Sequence, residues 1–323
     1  MRFAISIPQL VEDGTFDPAA FRAFLTRAEE LGFESAWTSE STLGAAPMLS
    51  PLETMTYAAA CTETLRLGCV VFVTPLHSPV HLAKSLASLD QLSRGRIEIG
   101  VGTGGRGRMF SAFGVEPDGL VARFNEGLKL MEGLWTESRL TFKGRFWQLE
   151  GAAMEPKPFQ KPFPPLWFGG NAPAALRRAV RHGDGFFGAG SQTTEQFAGQ
   201  VRLVREALED QGRDPATFQI AKRVYLGVGE PSVRVRLGEA LRRMYAHAGP
   251  EIEAVGVSGS ADEVVAGLRE VADAGAELIL LNPMFDDADQ LERLAAEVIP
   301  QLKNEPSRSR TPSRPGAHAE PCA

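Results

Sequence analysis

A chain of 323 residues that is 43% hydrophobic and 23% charged has the material for a large buried core, which argues against disorder as its ground state. A net charge of -6 and an isoelectric point near 5.6 give no general basic field and argue against nucleic acid or an anionic membrane as main partners. Cys61, Cys69 and Cys322, without C-x-x-C spacing, argue against a disulfide framework and against a zinc site, and they fit a reducing cytoplasm.

The first β-type run, RFAISI (2–7), meets Pro8 too early for a signal-type apolar segment. Nowhere does an apolar stretch approach the roughly 20 residues that cross a bilayer. The next segment, DPAAFRAFLTRAEELG (17–32), predicts a helix with Asp17 as N-cap, Pro18 in the first turn and Gly32 at its end. Its residues Phe21, Phe24, Leu25, Ala28 and Leu31 recur at three- and four-residue spacing. SAWTS (35–39), RLGCVVFV (66–73) and RIEIGV (96–101) read as strands, with helices beginning near Ser50, near Ser78 and near residue 120. SRLTFKGRFWQLEG (138–151) reads as a hairpin around a Lys143-Gly144 turn, followed by the Pro-rich EPKPFQKPFPPLW. PLWFGG (165–170), GFFGA (185–189), FQIAKRVYLGV (218–228) and ELILLN (277–282) complete the strands, and helices begin near Ala172, Thr194, Ser232, Ala261 and Asp287. Most strands are apolar without strict alternation, as strands buried on both faces are.

Eight strands each followed by a helix close most economically into a (β/α)8 TIM barrel, here with a hairpin insertion before the fifth strand. The expected domain is 1–302, with the insertion at about 104–164. The segment 303–323, rich in Pro, Ser and Arg, is expected to be a disordered tail.

RIEIGVGTGGRG (96–107) carries Gly100, Gly102 and Gly105 in the G-x-G-x-x-G order of a dinucleotide-binding turn. Such a turn opens a helix inside its glycines and has an acidic partner about 20 residues on. Neither holds here, since the next helix starts near residue 120. The run reads instead as a barrel strand whose loop brings bare backbone close to a ligand, or as glycines that simply turn the chain.

The segments ELGFESAWTSE, RLGCVVFVTPLHSPVHLAKSLASLDQLSRGRIEIGVGTGG, FGVEP, RFNEGLKLMEGLWTE, FKGRFWQLEG, EPKPFQKPFPPLWFGGNAPAALRRAVRHGDGFFG and GSQTTEQF together resemble the bacterial luciferase-like family of flavin and deazaflavin oxidoreductases. The resemblance spans about residues 1–302. It implies a barrel with an insertion, binding coenzyme F420 or reduced flavin mononucleotide (FMN), and commonly a homodimer. Val70 and Val71 match the place where members bulge the backbone, often through a non-proline cis peptide, against the cofactor ring. Thr103 and Gly104 then lie beside that ring or its ribityl chain. Gly169, Gly170 and Asn171, with Gly190, Ser191 and Gln192, are the phosphate candidates, because each loop opens a helix whose N–H groups face an anion; ordinary capping by Thr193 or Thr194 competes with that reading.

Glu40 stands where many members carry an acid followed by histidine; Ser41 takes that histidine's place, so their chemistry does not transfer. Glu40 is a candidate hydrogen-bonding or proton-handling group, or a helix cap. His77, after the third strand, is a candidate proton donor to a substrate oxygen. The function this implies is hydride transfer between F420 and a small organic substrate. Its alternatives are an FMN-dependent monooxygenase served by a separate flavin reductase, a non-redox barrel enzyme acting on a phosphorylated substrate, and a ligand-binding barrel without turnover. A Schiff-base lysine for the non-redox reading is not evident, since Lys222 lies inside a strand run and Lys84 on a helix. The pocket is shaped by the loops after strands four and eight, including NPMFDD (282–287), and by the insertion.

Overall fold

The computed structural model describes residues 1–303 apart from 12–13, 45, 106–109 and 246–247. The expected tail lies outside the described residues, save Lys303. In chain order the elements are β1 (Arg2–Ser6), α1 (Pro18–Glu30), β2 (Ser35–Thr38), α2 (Pro51–Cys61), β3 (Arg66–Val73), α3 (Pro79–Leu92) and β4 (Ile97–Gly102). Next come α4 (Leu120–Thr136), β5 (Leu140–Lys143), β6 (Gln148–Ala152), β7 (Leu166–Gly169), α5 (Pro173–His182), β8 (Gly185–Gly188) and α6 (Thr194–Asp210). The last are β9 (Gln219–Val228), α7 (Ser232–Met244), β10 (Val257–Gly259), α8 (Ala261–Asp273), β11 (Leu278–Pro283), α9 (Asp287–Arg293) and α10 (Ile299–Lys303).

Strands β11, β1, β2, β3, β4, β7, β8 and β9 pair in parallel, and the β8–β9 pairing closes them into the expected TIM barrel. β10 adds to the upper end of β9, at Leu226–Val228. The helices begin where local chemistry starts them. Asp17 accepts from the N–H groups of Ala19 and Ala20 ahead of Pro18, and Gly32 ends that turn with a positive φ of 76°. Thr193 with Gln196 and Ser260 with Glu263 form reciprocal capping boxes. One large apolar core lies between strands and helices, drawing on both the barrel wall and every long helix but α7.

A second, smaller core fills the barrel itself. Trp37 meets Phe187 and Trp167 edge to face, at 4.9 and 5.9 Å between ring centroids, beside Ala4, Ala221, Leu278 and Leu280. Gly68 and Gly185 make room for the indoles: a Cβ there would stand 2.3 Å from the Trp37 ring and 2.5 Å from the Trp167 ring.

The hairpin β5–β6 is antiparallel as expected, but its turn is wider than Lys143-Gly144. Residues 144–147 form the connection, with the Gly144 N–H donating to the Trp147 carbonyl. The Glu126 carboxylate of α4 sets this width by accepting from the backbone N–H groups of Arg145, Phe146 and Trp147. No helix among the described residues is long and apolar enough to cross a membrane.

Candidate active site

Parallel barrels present functional groups at the C-terminal ends of their strands. Here β3 is the irregular one. The Val70-Val71 peptide is cis, and the register with β4 jumps from Cys69 opposite Ile99 to Phe72 opposite Val101. Three glycines stand where this bulge presses. A Cβ on Gly100 would lie 2.1 Å from the Cys69 carbonyl oxygen, on Gly102 2.7 Å from Val71 Cγ2, and on Gly169 2.9 Å from Val71 Cγ1. The bare backbone of Gly100 and Gly102 therefore accommodates the protein's own bulge, which corrects the ligand-approach reading of those two positions. Gly104 follows in the left-handed region at φ 74°, with Thr103 Oγ1 3.4 Å from its carbonyl oxygen.

Glu40 and His77, from different loops, come together. Glu40 is buried, its Oε2 accepts from the Val73 N–H at 2.5 Å, and its Oε1 lies 2.6 Å from His77 Nε2. The short helical turn after β3 carries the histidine, whose own N–H donates to the Thr74 carbonyl. Glu40 is thus buried and hydrogen-bonded, where the helix-cap reading has it facing solvent. With Nε2 tied to the carboxylate, Nδ1 is the ring nitrogen left for a ligand.

The two glycine-containing loops after β7 and β8 also converge. Gln200 of α6 is buried between them, donating to Gln192 Oε1 at 2.9 Å and to Asn171 Oδ1 at 3.3 Å, while its own Oε1 is buried without a partner. The α6 N-terminus is capped by Thr193, as the competing reading expected, whereas α5 begins at Pro173 with no side-chain cap from Ala172. Gly190 is required by packing, since a Cβ there would come 2.4 Å from the Tyr225 ring. Gly170 lies against Ala175, and Ser191 hydrogen-bonds Tyr245.

Residues outside the sequence reading complete the mouth. Arg223 reaches from β9 across the interior to Ser39 Oγ and the Val70 carbonyl, both at 2.9 Å. The Tyr225 and Tyr245 hydroxyls are 2.7 Å apart, and burial pushes the Tyr245 phenol up from its ordinary value. Lys222 points the other way, toward Phe197 of α6, donating to the carbonyls of Ala189 and Gln192. Burial, with the Arg223 charge second, pulls its ammonium down to about 7. Such a shift often marks a nucleophile, but the two carbonyls and its outward direction make Lys222 a brace for the β8–α6 loop instead of a Schiff-base residue. The signal was present as two consecutive cations inside the apolar run IAKRVYLGV. Among the described residues no group of three or more His, Cys, Asp or Glu could hold a metal ion.

The profile of the luciferase-like monooxygenases matches residues 1–250. An F420-dependent glucose-6-phosphate dehydrogenase of Kineococcus radiotolerans is 28% identical over 89% of this chain and 94% of that protein. An FMNH(2)-dependent dimethylsulfone monooxygenase of Pseudomonas putida is 34% identical over 45% of this chain and 40% of that protein. Among solved structures, the monooxygenase RslO1 of Streptomyces bottropensis superposes with a TM-score of 0.81 at 25% identity, covering 94% of this chain and 100% of that one.

Proposed function

The chain belongs to the luciferase-like monooxygenase family and is an oxidoreductase, and on that premise we propose that it transfers hydride between coenzyme F420 and a small organic substrate at the barrel mouth. The observation that carries this reading is the pair of buried Glu40 and half-buried His77 standing beside the β3 bulge. The mouth fits such a cofactor in donor and acceptor type. Gln200 Oε1 between the two loops and Arg223 Nε at the floor are buried without partners, matching a polyol-phosphate tether at one end and an oxygen-edged ring at the other.

When bound, the deazaflavin supplies the hydride donor or acceptor. The protein positions and handles the proton. His77 Nδ1 gives a proton to, or takes one from, the substrate oxygen, and Glu40 holds the imidazole in one orientation while compensating its positive charge. Because Glu40 is itself fixed by the Val73 N–H, the pair needs no rearrangement to act. Gly170, Asn171, Ser191 and Gln192 would hold the cofactor's phosphate, with Lys222 and Gln200 keeping their loops together.

Full-length similarity to an F420-dependent enzyme supports F420. Partial similarity to an FMNH(2)-dependent enzyme supports the second reading, a monooxygenase that receives reduced FMN from a reductase. Titration of the protein with F420 and with FMN, followed by fluorescence quenching, decides between them. Tight binding of F420 is expected, and tight binding of FMN alone reverses the choice.

A further inference from the structure

Arg223 differs from the other arginines at the barrel wall in keeping a buried donor unbonded: Arg96, which also lacks a carboxylate, has all three of its nitrogens filled by neutral oxygens of residues 59–65 and 93. Arg2 and Arg66 each pair with a carboxylate, at 2.8 and 2.5 Å. Arg223 has no carboxylate partner among the described residues; its contacts are neutral oxygens, the Ser39 hydroxyl, the Val70 carbonyl and the Tyr225 phenol. Its Nε is buried and bonded to nothing, while the side chain as a whole stays partly open. The acid at this mouth, Glu40, is committed to the Val73 N–H and to His77. A guanidinium so enclosed without counter-charge is costly, and a bound anion removes that cost.

Direction and depth place the guanidinium where a ligand reaches it. β9 lies three places from β2 and four from β3 around the barrel wall, so a side chain touching Ser39 and Val70 crosses the interior. It does so on the mouth side of Trp37, which pairs with Gly68, two residues before Val70. The charged floor of the mouth thus sits directly on an aromatic plug.

We infer that Arg223 is the counter-cation for an anionic oxygen of the molecule that fills the mouth, an inference that rests on reading the mouth as the active site. A planar fork of donors suits a carboxylate or phosphate of the substrate, or the anionic N1–C2=O edge of a reduced ring.

Arg223→Gln and Arg223→Lys in the full chain test it, with folding checked by circular dichroism. Acetate, benzoate and inorganic phosphate, with benzamide as neutral control, are titrated against cofactor-free protein and read by melting temperature. The midpoint potential of the bound cofactor is read separately. At least one anion is expected to protect the wild type where benzamide does not, with affinity falling roughly 30-fold in Arg223→Gln and less in Arg223→Lys; this identifies a substrate anion. Unchanged anion binding with a lower midpoint potential in Arg223→Gln identifies the ring edge. Should Arg223→Gln not fold, Arg223→Lys carries both readouts through loss of the fork. Variants that match the wild type in anion affinity and in potential overturn the inference, as does a wild type that no anion protects and whose potential Arg223 does not affect. Failure of the wild type to bind either cofactor sinks the proposed function and leaves the anion titration to judge Arg223 alone.

Discussion

The two ends of the barrel interior obey different rules. Toward the N-terminal end every polar group near the plug is matched: Trp37 Nε1 donates to Ser35 Oγ at 2.9 Å, Trp167 Nε1 to Glu98 Oε2 at 2.5 Å, and Arg66 holds the other oxygen of Glu98. Toward the mouth, Thr74 Oγ1, Gln200 Oε1 and Arg223 Nε are buried with nothing to bond; the fourth such atom among the described residues, Asn125 Oδ1, lies on α4. Buried polar groups in folded proteins are nearly always satisfied, so a cluster of exceptions at one end separates the part built for stability from the part built for a ligand.

That contrast breaks most sharply at His77. His77→Ala is expected to lower kcat by about 10²- to 10⁴-fold and, because it leaves buried Glu40 Oε1 without its close partner, to cost about 1–3 kcal/mol of stability in urea melts; that stability loss with normal kcat would make the Glu40–His77 pair a structural one. Lys222 gives the next largest effect. Its folded pKa, about 7, lies below the value of 10.5 for the free side chain, so the unfolded chain binds the extra proton between those pH values. Stability therefore rises with pH across that window, by on the order of 2 to 4 kcal/mol, with the penalty complete below it. Urea melts at pH 6.5 and 9.5 should show this rise in the wild type and its absence in Lys222→Met.

Gly68→Ala probes the opposite end. Its new methyl meets the Trp37 ring, and about 1–3 kcal/mol of stability should be lost with cofactor affinity unchanged in the folded protein. Altered cofactor binding in that variant would mean that the two ends are coupled. Gln200→Ala is expected to have the smallest effect, about 1 kcal/mol in stability and a several-fold weaker grip on the phosphate-bearing cofactor, measured by quenching.

Much of this architecture is legible in the residues themselves. Strands such as RIEIGV and GFFGA announce burial on both faces, and Asp17-Pro18 or Thr193 announce helix starts, because these signals act within a few residues. The purpose of Gly100, Gly102 and Gly190 was not legible, since what each glycine avoids lies on another strand: Cys69 and Val71 of β3, or Tyr225 of β9. Arg223 escaped for a related reason. In a strand buried on both faces, period-two alternation does not say which cation points inward, and only the register with β8 and β11 sends Lys222 out and Arg223 in. Glu40 and His77 are each legible as candidates, but their pairing depends on the path of two loops.

Arg123 and Glu126, neighbours on α4, act as a double clip. Glu126 grips the tip of the β5–β6 hairpin, while Arg123 stacks 4.6 Å from the Trp147 ring and donates to the Pro75 carbonyl in the turn that leads to His77. The inserted hairpin and the histidine's turn are thereby mechanically linked through one helix. Anyone transplanting a relative's insertion to alter what this enzyme accepts must carry positions 123 and 126 along with it, or the graft will swing free of the residue it is meant to serve.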